Sequence, residues 1–205
     1  MSKIADNIIP LYEAHAQRWD DIRRSNTAKG LMEADWLKRF TGLLPQQGAV
    51  LDCGCGAGEP MAGHLIREGF QITGIDSSSS MIGICRERFP QHQWLVADMR
   101  ALTLPQQFNG ILAWDSFFHL QRDDQRRMFP RFAALAADHA VLMFTSGTSN
   151  GEAIGTFEGQ PLYHSSLAPE EYRALLSENG FDAVQYVEND PHCGNHTIWL
   201  CRKTS

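Results

Sequence analysis

The sequence is short of positive charge, of paired cysteines and of long apolar runs. Its 205 residues hold 18 Lys and Arg against 24 Asp and Glu, a formal charge of −6. Only Lys3, Lys29, Lys38 and Lys203 are lysines, and the arginines are scattered apart from a modest group at Arg122, Arg126 and Arg127. An enzyme of nucleic acids needs a basic face to neutralise phosphates, so this balance argues against that partner. No apolar stretch approaches the roughly 20 residues that span a bilayer, which argues against a membrane partner. Met1 to Pro10 has the pattern of neither a signal peptide nor a transit peptide, and the expected compartment is the cytoplasm. The five cysteines offer no second pair at zinc-ligand spacing and are expected to be reduced, mostly buried thiols. No metal site is expected. Internal repeats and low-complexity tracts are missing too.

What is there is a 43% hydrophobic chain, enough for the core of one domain with a helical extension. Residues 1–46 carry helical patterns, over Ile4 to Arg23 and Leu31 to Leu44, and no strand signal. From Gly48 the pattern alternates. Strands are expected at Ala49–Cys53, Gln71–Asp76, Gln93–Ala97, Gly110–Trp114 and Ala140–Thr145. Helices are expected between them at Met61–Glu68, Ser79–Phe89 and Asp123–Ala137. This alternation implies βαβ units and a parallel sheet. Residues 147–167, rich in Gly, Ser and Thr, suggest a small hairpin around Gly159. After a helix at Pro169–Asn179, strands at Phe181–Val187 and Thr197–Arg202 are joined by a loop too short for a crossover, so they must pair antiparallel. The expected fold is α/β: a Rossmann-like, seven-stranded, mostly parallel sheet with one reversed strand near its edge, helices on both faces and an N-terminal helical lid.

The stretch Val50-Leu-Asp-Cys-Gly-Cys-Gly-Ala-Gly58 joins the first strand to the next helix. Glycines belong where the chain turns tightly and a ligand approaches the backbone. Asp76 ends the second strand, 22 residues beyond Gly54, where a carboxylate can accept from ribose hydroxyls. A dinucleotide fingerprint would place Gly or Ala at position 59, but Glu59 and Pro60 stand there. That disfavours a nicotinamide-dependent oxidoreductase. The loop is G-x-G-x-G behind Asp52, and negative charge there suits a ligand carrying an ammonium and a sulfonium better than a pyrophosphate.

These residues resemble the first motif of the class I S-adenosylmethionine-dependent methyltransferases. Ile72-Thr-Gly-Ile-Asp76-Ser77, with a serine-rich cap and Met81 after it, resembles the second motif. Val96-Ala-Asp98-Met99 and Gly110-Ile-Leu-Ala-Trp114-Asp115 resemble the third and fourth. The likeness runs from about residue 48 to the end, and is greatest to small bacterial enzymes of the broad type that includes ubiquinone biosynthesis. It implies S-adenosylmethionine as co-substrate and a small-molecule methyl acceptor. Gly54, Gly56 and Gly58 would hold the methionine part, with Asp52 organising the loop. Asp76 and Ser77 would bind the ribose, Met81 would lie beside them, and Asp98 and Met99 would frame the adenine. Trp114 and Asp115 would face the methionine amine and the departing methyl.

Methyl transfer from a sulfonium is an in-line displacement in which the protein mainly positions its reactants. His119 follows the fourth strand and is the best candidate base, with Asp115 beside it; a merely hydrogen-bonded, half-buried histidine is the bland alternative. Phe117 and Phe118 read as packing residues. His192 and His196 flank a turn containing Gly194 and Asn195, which fits a capped sheet edge better than a metal site. The resemblance also makes the N-terminal helices a lid, with Tyr12 and Trp36 as cofactor contacts; an aromatic packing stripe is the competing reading. The expected division is a cap over 1–46 and a binding domain over 47–205, with 147–167 as a possible acceptor-side insertion. A noncatalytic S-adenosylmethionine-binding protein is the main alternative, and a nucleic-acid methyltransferase a lesser one, since no proline pair follows Asp115.

Overall fold

The structure is a computed structural model that describes residues 4–27 and 30–204. The first three residues of the expected cap, its residues 28 and 29, and the final residue lie outside the described part. After a single 3-10 turn at Ala5–Asn7, the chain forms α1 (Ile8–Ala14), α2 (Ala16–Thr27) and α3 (Ala34–Thr41). Then β1 (Ala49–Cys53), α4 (Met61–Arg67), β2 (Gln71–Asp76), α5 (Ser79–Arg88) and β3 (Gln93–Val96) alternate. Next come β4 (Phe108–Ala113), α6 (Arg122–Leu135) and β5 (Ala136–Ser146). The hairpin β6 (Gly151–Phe157) and β7 (Gln160–Ser166), α7 (Pro169–Glu178), β8 (Phe181–Asp190) and β9 (His196–Lys203) complete the chain.

Seven strands form one sheet in the order β3-β2-β1-β4-β5-β9-β8. All neighbouring pairs from β3 to β5 are parallel, while β9 runs antiparallel to both β5 and β8. The predicted single reversed strand is therefore β9, one place in from the edge. Both faces are covered, as a parallel sheet requires. The period-2 alternation of the strands splits the core in two. Leu51, Ile75, Ile111, Leu142, Phe144 and Trp199 face α6 and α7. Val50, Ile72, Leu112, Met143 and Leu200 face α3, α4 and α5.

Several boundaries differ from expectation. The helix expected over Ile4–Arg23 is broken at His15, whose backbone leaves the helical region at φ −120° and ψ 24°. The break lets α1 and α2 meet α5 separately. Glu13 on α1 accepts from Ser78, Ser79 and Ser80 at the start of α5, and Asp20 on α2 pairs with Arg88 at its end at 2.7 Å. The serine hydroxyls and the Ser80 amide drive the Glu13 carboxyl down to about 2. The Leu31–Leu44 helix is shorter, because the chain enters α3 only at Ala34 and leaves it at Gly42. The fifth strand begins at Ala136, where a bulge pairs that residue with Phe108, so α6 stops two residues early. The hairpin is larger than a turn around Gly159, pairing Gly151–Phe157 with Gln160–Ser166. Among the described residues no helix is long and apolar enough to cross a membrane.

Candidate functional site

Open α/β sheets bind ligands outside the carboxyl ends of their strands, and a cleft of about 1010 Å³, partly open to solvent, lies there above β1, β2 and β4. Its floor is main chain. The Gly54 and Cys55 amides both donate to the Ile75 carbonyl, at 2.8 and 3.0 Å, which folds the loop over the end of β2. Gly54 has φ +75°, and a Cβ there would overlap Ser116, whose hydroxyl donates to the Cys53 carbonyl at 2.6 Å. Only glycine meets both demands. Asp76 accepts from the amides of Gly56 (3.0 Å) and Ser78 (2.9 Å), so its carboxylate is held in one orientation at the cleft wall. Burial pushes its carboxyl above the ordinary range despite those bonds. Ser78 caps α5 by accepting from Met81 N at 3.1 Å.

Ser77, Met81, Asp98 and Met99 line the same cleft. Burial would raise the Asp98 carboxyl, but Arg100 donates to it at 2.6–3.0 Å and holds it below the usual range. Asp52 and Trp114 do not face this cleft. They line an adjoining recess with Arg23, Glu59 and the Gly54–Gly56 loop. There Asp52 Oδ2 and Trp114 Nε1 are buried and make no hydrogen bond among the described residues. Burial, with Asp76 nearby, pushes Asp52 up to about 7. An unpaired acceptor and an unpaired donor thus lie buried beside one recess.

Two expected contacts lie elsewhere. Trp36 is 1% exposed and packed between α3 and the sheet, with its Nε1 donating to Asp190 at 2.7 Å. It does not reach the cleft because α3 lies flat on the sheet and turns its apolar side inward. Gly58 sits beneath the loop, where an added Cβ would meet Phe89 and Cys85 at 3.2–3.3 Å. Its role is to let α4 and α5 close up rather than to touch a ligand.

At the end of β4 the side chains form a network. Asp115, with φ +49°, has its amide held by Thr145 Oγ1 at 3.0 Å. Its carboxylate accepts from His196 Nε2 at 2.7 Å and from Arg23 Nη1 at 3.3 Å, and Arg23 Nη2 also reaches Glu33 at 2.8 Å. Burial alone would raise the Asp115 carboxyl, but His196 and Arg23 outweigh it and hold it low. Burial likewise opposes charge on His196, but Asp115 and the Cys193 carbonyl, 2.6 Å from Nδ1, raise its pKa. An acceptor on each ring nitrogen favours the doubly protonated ring of His196.

His119 is its opposite. Its Nδ1 lies 2.7 Å from the Tyr163 carbonyl, which only accepts, so Nδ1 carries the proton. Its Nε2 then accepts from the Tyr12 hydroxyl at 3.0 Å. Burial, which the Tyr163 bond does not offset, pushes His119 down to about 4, and the ring is neutral. Tyr12 and Trp19 roof the cleft from α1 and α2, and Phe157, at the end of β6, packs behind them; the three rings meet at centroid distances of 5.3–5.6 Å. Phe157, Glu13 and the His196–Asp115 bond carry no signal in the sequence. His196 was visible only as half of a turn pair, since its partner lies 81 residues away.

Residues 50–138 match the family described as "Methyltransferase domain". A putative methyltransferase of Bacillus subtilis, YqeM, is 30% identical over 115 residues, covering 53% of this chain and 46% of that protein. A trans-aconitate 2-methyltransferase of Escherichia coli is 37% identical over 94 residues, covering 45% and 36%. The chain thus spans less than half the length of these curated relatives. Among solved structures, the complex of DhpI with S-adenosylhomocysteine superposes with a TM-score of 0.76 at 17% identity, covering 98% and 97% of the two chains. The Burkholderia thailandensis 1,6-didemethyltoxoflavin-N1-methyltransferase, solved with its acceptor and S-adenosylhomocysteine, gives 0.72 at 18% over 100% and 92%.

Proposed function

We propose that this chain, whose residues 50–138 match a methyltransferase-domain family, is a class I methyltransferase that transfers a methyl group from S-adenosylmethionine to a small-molecule acceptor. The observation that carries the reading is the main-chain floor around Asp76. A carboxylate fixed by the Gly56 and Ser78 amides faces a cleft of about 1010 Å³ at the carboxyl edge of β1, β2 and β4. Asp76 and Ser77 then take the ribose, while Met99, Asp98 and Leu120 border the adenine. The recess beside the Gly54–Gly56 loop, bordered by Asp52 and Trp114, takes the amino-acid end. Residues 4–27 act as a cap, and the hairpin within 147–167 closes the acceptor side.

The reaction moves an electron pair from the acceptor to the methyl carbon as the carbon–sulfur bond breaks toward sulfur. The protein supplies alignment and the exclusion of water. Where the acceptor carries a proton, the Tyr12 oxygen receives it while the Tyr12 hydroxyl passes its own to His119 Nε2. The fixed Nδ1–H on the Tyr163 carbonyl keeps that lone pair turned to Tyr12. Asp115 holds no proton for this chemistry. Pinned by Arg23 and His196, it ties the cap to the sheet edge beside the reacting centre.

The test is calorimetric titration with S-adenosylhomocysteine and with NAD, followed by turnover of methyl-labelled S-adenosylmethionine over an acceptor panel. Micromolar binding of the first and none of the second supports the donor site. Binding without turnover of any acceptor would leave the noncatalytic reading.

A further inference from the structure

The donor site has two chambers. The cleft that takes the adenosine and the recess that takes the amino-acid end share four lining residues, Trp19, Gly54, Gly56 and Asp115. We infer that Trp19 is the gate between them: its ring closes the joint and turns aside to admit a donor that carries an amino acid. Trp19 thereby sets how fast S-adenosylmethionine and S-adenosylhomocysteine enter, and is indifferent to a bare nucleoside. The inference rests on the donor site proposed above.

Width is the first argument. A donor with its ribose at Asp76 and its amino acid in the recess must cross the joint at its sulfur. The edge of the indole lies against the glycine loop there. A Cβ placed on Gly56 would stand 3.5 Å from Trp19 Nε1 and 3.7 Å from Cδ1. Adding one carbon–carbon bond leaves at most about 5 Å between Gly56 Cα and the ring. A methylene or sulfur between two surfaces needs about 3.5–4.0 Å on each side, so about 7 Å in all. The amino-acid arm therefore does not pass between Gly56 and Trp19 until the ring turns.

Mobility is the second. Three of the four residues at the joint are pinned. The Gly54 amide donates to the Ile75 carbonyl at 2.8 Å, and the Gly56 amide to Asp76 at 3.0 Å. Asp115 is held through its amide by Thr145 at 3.0 Å and through its carboxylate by His196 at 2.7 Å and Arg23 at 3.3 Å. Trp19 is held by packing alone. Its ring is half-buried and meets Tyr12 and Phe157 edge-to-face at 5.3 and 5.6 Å, and its N–H makes no hydrogen bond among the described residues. Such contacts are weak enough to exchange. The helix beneath the ring stays where it is. Asp20, the next residue, is buried and accepts from Arg88 at 2.8 and 2.7 Å, and Arg23, one turn on, donates to Glu33 at 2.8 Å. The gate is thus a change of the Trp19 rotamer over a fixed α2, and not a lifting of the cap.

Two ligands separate the chambers. S-adenosylhomocysteine fills both, whereas adenosine ends at the ribose and fills only the cleft. Stopped-flow mixing with S-adenosylhomocysteine, followed by tryptophan fluorescence to which Trp114 in the recess contributes, gives the association rate constant. Calorimetry gives the affinity for adenosine. Trp19→Ala should raise the association rate constant of S-adenosylhomocysteine about threefold or more, because the joint no longer waits for a ring to turn. Its affinity for adenosine should equal the parent's. Trp19→Leu repeats the test if Trp19→Ala does not fold. A rate constant equal to the parent's, or below it, overturns the gate. So does a gain in adenosine affinity as large as the gain in rate, which would mean that the whole roof had opened. Failure of both ligands to bind the unmodified protein would instead overturn the donor site.

Discussion

The cleft has a floor and a roof that are built by different means. The floor is one continuous turn, from Cys53 to Gly58, locked by main-chain bonds to Ile75 and by a single carboxylate, Asp76. The roof is three aromatic rings from segments far apart in the chain, Tyr12, Trp19 and Phe157, held by packing and by the exposed pair Arg18–Glu158. The floor is rigid because its backbone has no alternative. The roof rests on contacts that separate one at a time. A ligand that must enter and leave needs this asymmetry.

The comparison breaks first at the floor. Asp76→Ala leaves the Gly56 and Ser78 amides unpaired and removes the proposed ribose acceptor. S-adenosylhomocysteine affinity should fall by about 100-fold or more, read by calorimetry; unchanged affinity would remove Asp76 from the site. Beneath the roof, His119→Ala should lower kcat by roughly 10²-fold for an acceptor that loses a proton, with donor affinity nearly unchanged. Tyr12→Phe should reproduce most of that loss, and a kcat equal to the parent's would break the relay. Phe157→Ala should cost at most about 3 kcal/mol in urea unfolding and raise the dissociation rate of S-adenosylhomocysteine, since it opens the roof without touching the floor.

The next effect depends on pH. His196 has its pKa raised in the fold, so its pairing with Asp115 contributes fully below the ordinary histidine value near 6.5. That contribution is lost as pH climbs through the raised value. Melting temperature should therefore decline from pH 6 to pH 9 more steeply in the parent than in His196→Gln. Parallel curves would show that the pairing does not titrate there. The smallest change is expected from Arg18→Ala, at about 0–1 kcal/mol, because Arg18 is 60% exposed.

The same division explains what could be read in advance. The floor was legible because its information is local: glycines at fixed spacing, Asp76 at a strand end, Glu59 where a dinucleotide fold needs a small residue. The sheet was legible for the same reason, through strand–helix alternation and a loop too short for a crossover. The roof was not. Tyr12, Trp19 and Phe157 fall on unrelated segments, and only packing reveals that they meet. Trp36 and Tyr12 look alike in sequence, each an aromatic on an N-terminal helix, yet one enters the core and the other the cleft. The break at His15 is what aims Tyr12 at His119, and it has no signature beyond a histidine among helix formers. Asp115 was placed correctly at the end of β4, but its partners Arg23 and His196 come from opposite ends of the chain.

The direction of β9 has a practical side. Thr197 lies beside Ser146 at the ligand edge, whereas Arg202 lies beside Val141, toward the opposite edge. The strand enters at the cleft and carries the chain away from it, and Lys203 Nζ then donates to the carbonyls of Ala133 and Ala136 at the end of α6, at 3.1 and 2.7 Å. An affinity handle or a surface-immobilisation tether attached after Thr204 would therefore project from the side of the molecule remote from the ligand opening. Binding sensors built in that orientation would present the cleft to solution.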